Sequence, residues 1–184
     1  MADPAPVSAI VLAGGRGRRV GNRDKGLIEV DGKRLIEHVV TRLRHQVAEF
    51  IISCNRNVDI YASYGRTVRD RQPGYPGPLM GILSAAEVAR HDLCLVTPCD
   101  MPSLPTDLVS RFLTAISDHD AAIAHDCDRL QPLVVLLGKP VIAGISQYLK
   151  DGNSSVKGWL SDLNCIEVDF SDQADAFINL NTQD

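Results

Sequence analysis

The sequence predicts an α/β fold in three layers, with helices on both faces of a mainly parallel sheet. The first observation is alternation: short apolar runs of strand type change places with longer stretches of helical spacing along the 184 residues. That pattern belongs to parallel sheets joined by crossover helices. The second is length, which suits one domain with an ample core and no dividing linker or internal repeat. The third is the position of the polar breaks, several of which follow strand-type runs directly. In open α/β sheets ligands bind beyond the carboxyl ends of strands.

The elements follow in order. Residues 1–7 are expected to be flexible. Ala9 to Leu12 is a short buried strand. A loop rich in glycine and arginine follows. Leu27 to Val30 is a strand closed by an Asp31-Gly32 turn. Leu35, Ile36, Val39, Val40, Leu43 and Val47 fall at helical spacing. Phe50-Ile51-Ile52 is a second buried strand, ending at Ser53 to Arg56. Ile60 to Tyr64 is a short helix, and Thr67 to Asp70 a brief strand. Gln72 to Pro78 holds no regular element, and Pro78 opens a helix to about Arg90. Leu93 to Thr97 is the strongest strand, broken by Pro98 to Pro105. A helix from about Thr106 to Ile116, strands at Ala121–Ala124 and Leu133–Leu137, and helices at Val141–Leu149 and Val156–Leu163 come next. Cys165 to Val168 is a late strand, and Phe177 to Asn181 a last short piece.

Bulk properties exclude several classes. The net charge of −4 argues against a nucleic-acid partner, because no positive field covers the surface. No apolar run approaches 18 residues, so no membrane span is expected. Residues 1–8 lack the charged and apolar regions of a signal peptide. The five cysteines are odd in number and show no C-x-x-C, which argues against structural zinc and a disulfide framework. Free thiols fit a reducing cytosol, and a cytoplasmic location is expected. The five histidines show no ligand spacing.

The chemistry gathers after the first strand. Gly14, Gly15 and Gly17 remove side chains, so backbone amides can approach a ligand. Arg16, Arg18, Arg19, Arg23 and Lys25 place five of the 19 Lys and Arg within ten residues. Bare amides beside dense positive charge suit a polyphosphate. The stretch is neither a G-x-x-x-x-G-K-[ST] loop nor a G-x-G-x-x-G fingerprint. A nucleoside triphosphate brings Mg²⁺, which takes one or two carboxylates beside phosphate oxygens. Asp100, three residues past the strongest strand and stiffened by Pro98, Pro102 and Pro105, is the first candidate. Asp70, also at a strand end, is the second. Each also has a plain reading, as an acid satisfying amides in its own turn.

The run Leu12-Ala13-Gly14-Gly15 through Asp24-Lys25-Gly26-Leu27 resembles the molybdenum cofactor guanylyltransferases. The likeness continues through Tyr75-Pro76-Gly77-Pro78-Leu79-x-Gly81, Pro98-Cys99-Asp100-x-Pro102-x-Leu104-Pro105, Gln131-Pro132-Leu133, Tyr148-Leu149-x-x-Gly152 and Phe177-x-Asn179-x-Asn181-Thr182, nearly the whole chain. It implies a single Rossmann-like nucleotidyltransferase domain over residues 1–184, of the nucleotide-diphospho-sugar transferase type. It implies transfer of GMP from GTP to molybdopterin, with Mg²⁺ and release of pyrophosphate. By position it implies nucleotide contacts at Leu12, Ala13, Gly14, Lys25 and Asp70, with Mg²⁺ on Asp100. Gly15 belongs with them as a bare amide. Asn179 and Asn181 take the molybdopterin side, and Arg19, Gly77 and Gly81 are essential positions. A monomer is expected, with transient contacts to molybdopterin-forming proteins and to molybdoenzymes or their chaperones. Two departures stand out: Ser53 where the family often has Asn, with Asn55 nearby, and Ser154-Ser155 where it tends to have a basic pair. The alternatives are a cytidylyltransferase for the same cofactor, another nucleotidyltransferase, or a non-catalytic carrier, which would release no pyrophosphate.

Overall fold

The computed structural model of the chain describes residues 5–14, 24–71 and 77–180. The first strand, β1 (Ala5–Leu12), starts four residues before the expected Ala9. Residues 5–7 are therefore not a flexible lead: Ala5 pairs with Val47, and Val7, fully buried, pairs with Leu93. A 3-10 turn at Lys25–Leu27 replaces the start of the expected 27–30 strand. What remains is a two-residue ribbon, β2 (Glu29–Val30) with β3 (Lys33–Arg34), closed by Asp31 and Gly32 at φ 51° and 73°. Those positive angles suit the primed hairpin turn.

Helix α1 (Leu35–Leu43) buries Leu35, Ile36, Val39 and Leu43. Val47 continues its spacing but lies in β4 (Val47–Ser53). Just past the helix, the Gln46 amide nitrogen donates to the Arg42 carbonyl at 3.0 Å and the Pro105 carbonyl at 2.9 Å, and its amide oxygen accepts from the Val109 N–H at 3.0 Å. Next come α2 (Val58–Tyr61), β5 (Arg66–Val68) and α3 (Pro78–Ala86), which ends short of the expected Arg90. Then follow β6 (Leu93–Pro98), α4 (Leu108–Ile116), β7 (Ala121–His125) and β8 (Leu130–Gly138). The single helix expected at 141–149 is two, α5 (Lys139–Ala143) and α6 (Ile145–Lys150), meeting at Gly144, a poor helix former. The chain continues through α7 (Val156–Ser161) and β9 (Cys165–Asp169) to a 3-10 segment at Ser171–Phe177. Residues 178–180 form no regular element.

The other seven strands make one sheet in the order β5-β4-β1-β6-β8-β7-β9, and only β8 runs against its neighbours. Alternation along β1 separates two apolar layers. Val7, Ala9 and Val11 pack with α1 and α4, including Val39, Leu43 and Phe112. Ile10 packs with Leu79 and Ile82 of α3, in the layer that also buries Ile142, Ile145 and Trp159 of α5, α6 and α7. Leu12 is level with both Ser53 and Pro98, and Ser53 with Val68. Four parallel strands thus end at one edge, and everything that follows them meets there.

Candidate active site

A cavity of about 380 Å³ opens at that edge. The exit of β1 lines it with Leu12, Ala13 and Gly14, and the 3-10 turn adds Lys25. Ser53 and Asp70 enter from β4 and β5, Gly77 and Gly81 from the start of α3, and Cys99 and Asp100 from the end of β6. Ladder bonds carry the sheet past its strand ends: the Ala13 N–H donates to the Ser53 carbonyl at 2.8 Å, and the Cys99 N–H to the Leu12 carbonyl at 3.2 Å. The structure thus brings together Leu12, Ala13, Gly14, Lys25, Asp70, Gly77, Gly81 and Asp100. Gly15, Arg19 and Asn181, with the rest of the arginine run, lie outside the described residues.

Lys25 and Asp100 face each other. The ammonium of Lys25 donates to Oδ2 of Asp100 in a half-buried ion pair. Oδ1 of Asp100 is buried, and among the described residues it is the one buried side-chain oxygen or nitrogen with no hydrogen-bond partner. A buried anionic oxygen left so costs free energy unless something positive meets it. No group of three or more His, Cys, Asp or Glu among the described residues is arranged to hold a metal ion. That donor set does not make an all-protein metal cage. It does fit Mg²⁺, which is held by one or two carboxylates and completed by substrate phosphates.

Asp70 is held differently. Asn55 donates to its Oδ2 at 2.7 Å, and the Asp70 N–H returns a bond to the Asn55 amide oxygen at 3.0 Å. Ser53, small and buried, lines the cavity, while Asn55 contributes by holding Asp70. The first turn of α3 comes close because it carries no side chain where it matters. A Cβ on Gly81 would lie 2.6 Å from Ser53 Oγ and 3.5 Å from Asp70 Oδ1. Gly77 precedes the helix at φ 99°, a conformation that favours glycine.

Beside Lys25 sits a group that sequence reasoning missed. Asp24 accepts hydrogen bonds from the Tyr61 hydroxyl and, at 2.9 Å, from the Asn57 side-chain amide. Burial, with Cys99 and Asp24 nearby, drives the Tyr61 hydroxyl far above its ordinary range, so it remains a donor. Burial likewise raises the Cys54 thiol to about 11 and pushes Cys99 higher still. A thiol that stays protonated is no nucleophile, so Cys99 lines the cavity as an apolar wall.

A second cavity, about 300 Å³, adjoins the first and shares Pro98, Asp100 and Leu133 with it. Met101, Arg129, Gln131 and Asn179 also line it. The C-terminal segment is tied there by the Leu180 N–H, which donates to the Asp100 carbonyl at 3.0 Å. Asp126 shapes the β7–β8 turn, accepting from Gln131 and from the N–H groups of Asp128 and Arg129. Of the Ser154-Ser155 pair, Ser155 serves the fold. Its hydroxyl caps α7, accepting from the Gly158 N–H at 3.1 Å.

A family model described as MobA-like NTP transferase domain matches residues 9–166. The chain is 44% identical over 180 residues to the molybdenum cofactor guanylyltransferase of Shewanella loihica, covering 96% of this chain and 91% of that protein. It is 42% identical over 183 residues to the molybdenum cofactor guanylyltransferase of Photobacterium profundum, covering 99% and 94%. Among solved structures, the molybdopterin-guanine dinucleotide biosynthesis protein A of Archaeoglobus fulgidus superposes with a TM-score of 0.77 at 23% identity, covering 95% of this chain and 92% of that one.

Proposed function

The chain belongs to the family of MobA-like NTP transferase domains, and from that premise we propose that it transfers GMP from GTP to the terminal phosphate of molybdopterin. The product is molybdopterin guanine dinucleotide, and pyrophosphate leaves. An oxygen of the molybdopterin phosphate attacks the α-phosphorus of GTP, a new P–O bond forms, and the bond to the β-phosphate bridging oxygen breaks. No protein nucleophile takes part. The chain positions the two phosphates and neutralises charge.

The observation that carries this reading is Asp100 at the junction of two cavities, Lys25 on one oxygen and the other buried and unpartnered. Asp100 is the residue that would hold Mg²⁺; when bound, the ion neutralises charge on the transferring phosphoryl group. Lys25, with Arg19, binds the departing pyrophosphate. The Gly14 and Gly15 amides receive the triphosphate. Asp70, oriented by Asn55 and close to Gly81, offers carboxylate acceptors that match the paired N–H donors of a guanine edge. Asn179, which lines the second cavity, meets the pterin, and Asn181 serves the same substrate. Contacts with molybdopterin-forming proteins and with molybdoenzymes or their chaperones are brief handovers by a cytoplasmic monomer.

The test is incubation with molybdopterin, Mg²⁺ and each NTP in turn, followed by identification of the product. GTP should yield pyrophosphate and the guanine dinucleotide. A product formed from CTP instead would make the chain a cytidylyltransferase, and no pyrophosphate with any NTP would make it a carrier.

A further inference from the structure

Asp24 and Gly26 flank the lysine of the Asp24-Lys25-Gly26 run. These two residues meet at Tyr61. This tyrosine is fully buried, yet its hydroxyl is partnered because Asp24 accepts from it. Asn57 closes the other oxygen of the same carboxylate at 2.9 Å. Asn57 stands at the N-terminus of α2, where an Asn side chain ordinarily caps its own helix. Here it makes no cap, sits at φ 51°, and gives its amide to Asp24. Such a departure from local preference marks a position held for another purpose. Gly26 completes the set, since a Cβ there would lie 2.5 Å from the Tyr61 hydroxyl oxygen and 3.1 Å from Cys99 Sγ.

We propose that Asp24 is a positioning residue: gripped by Tyr61 and Asn57, it anchors the turn that carries Lys25 to Asp100. A lysine side chain loses much rotamer freedom when it is held. A backbone root fixed one residue earlier lowers that cost, so preorganisation appears as nucleotide affinity. Asp24 itself touches neither nucleotide nor metal in this scheme. The inference rests on the cavity being the nucleotide site, so wild-type Mg–GTP binding is measured first.

The experiment is calorimetric titration of Mg–GTP into the full chain and its variants, with thermal melting alongside. Wild type should bind; absence of binding overturns the nucleotide reading and this inference with it. Asp24→Ala should weaken Mg–GTP by roughly tenfold, about the effect of one lost charge-assisted hydrogen-bond set. Asp24→Asn should recover most of that loss, because an amide oxygen still accepts from Tyr61 and the Asn57 amide can turn over to accept in return. If Asp24→Asn binds as poorly as Asp24→Ala, the charge rather than the grip is at work and the proposal fails. Wild-type affinity in Asp24→Ala also overturns it. Should Asp24→Ala not fold, Tyr61→Phe keeps the ring packing and removes the donor, and it must weaken Mg–GTP for the proposal to stand. A second, independent readout is a cycle on Tm. Gly26→Ala should cost less in the Tyr61→Phe background than in wild type, because the obstructing oxygen is gone and the nearest ring carbon lies at 3.3 Å. Additive costs would mean that Gly26 and Tyr61 do not meet.

Discussion

The carboxyl edge of the sheet has two halves, both rich in acids and used in opposite ways. In the outer half, around β7, β9 and the C-terminal 3-10 segment, Asp126, Asp172 and Asp107 each have both carboxylate oxygens partnered. Asp126 accepts from Gln131 and two backbone amides. Asp172 takes the Arg111 guanidinium with both oxygens, and Asp107 takes Arg111 and Gln173. In the inner half, around β1 and β6, Asp100 keeps one buried oxygen without a partner. The outer acids fasten loops; the inner acid has coordination left to offer a ligand. Acid content alone therefore does not single out a candidate metal ligand, whereas unused acceptor capacity under burial singles out Asp100.

The sharpest way to break this contrast is to remove the inner acid. Asp100→Ala and Asp100→Asn should each cut pyrophosphate release by roughly 10³-fold or more, the scale of losing a principal electrostatic contact in the transition state. Both should fold, since Oδ1 has no partner to lose and the partner lost by Oδ2, the Lys25 ammonium, is only half-buried. Wild-type kcat in either variant would end the metal assignment. Lys25→Ala comes next, with roughly 10²-fold less turnover and weaker GTP binding by calorimetry. It also leaves the Asp100 carboxylate without its ion-pair partner, so its Tm should fall where that of Asp100→Asn does not.

Gly81→Ala tests how closely the inner half is packed. In an exposed helix this change stabilises by about 1 kcal/mol. Here the new methyl would sit 2.6 Å from Ser53 Oγ, and overpacking of this kind costs about 1–3 kcal/mol. The clash should win, reducing GTP affinity about tenfold. Ser53→Ala in the same chain should restore most of it. Unaltered GTP affinity in Gly81→Ala would show that α3 can shift away freely.

The inner half could be read from the sequence because its parts are local. Gly14, Lys25, Asp70 and Asp100 each follow a strand, and parallel topology alone carries strand ends to one edge. The partners could not be read in the same way. Asn55 meets Asp70, and Asn57 and Tyr61 meet Asp24, through side-chain geometry that no spacing encodes. Gly26 and Gly81 look like ordinary turn or helix glycines until the opposing Tyr61 and Ser53 are seen. The misplaced boundaries have similar causes. Val47 fits the α1 periodicity, and only its pairing with Ala5, far away in sequence, shows it to be the start of β4. The strand expected at 27–30 lost Leu27 to a 3-10 turn that carries Lys25 to Asp100, a contact 75 residues apart in sequence.

Asn179→Ala probes the boundary between the halves. It lines the second cavity and not the first. GTP affinity should be unchanged, while the KM for molybdopterin should rise by about three- to tenfold, as for one or two neutral hydrogen bonds. Loss of GTP binding with molybdopterin binding intact would reassign the C-terminal segment to the nucleotide.

The smallest effect belongs to the outer half and concerns pH. Arg111 holds Asp172 and Asp107, donates to the Asp169 carbonyl at 3.2 Å, and lies 4.9 Å from the Phe170 ring centroid. Asp172 is lowered by its bonds to Arg111; for Asp107 burial acts upward, but Arg111 and Gln173 outweigh it. Because both folded-state values lie below the unfolded ones, the fastening is fully present above the unfolded carboxylate value, near 4. It is lost as pH falls through the depressed folded values. Hydrogen exchange should therefore show the segment from Ser171 to Phe177 losing protection below about pH 4 before the central strands do. Arg111→Gln should loosen the same segment already at neutral pH and remove most of the acid step. It should leave GTP affinity unchanged, since Arg111 lines neither cavity at Asp100. An acid step of equal size in that variant would show that the outer carboxylates are held by something other than Arg111. The two halves of the edge would then no longer differ in the way proposed.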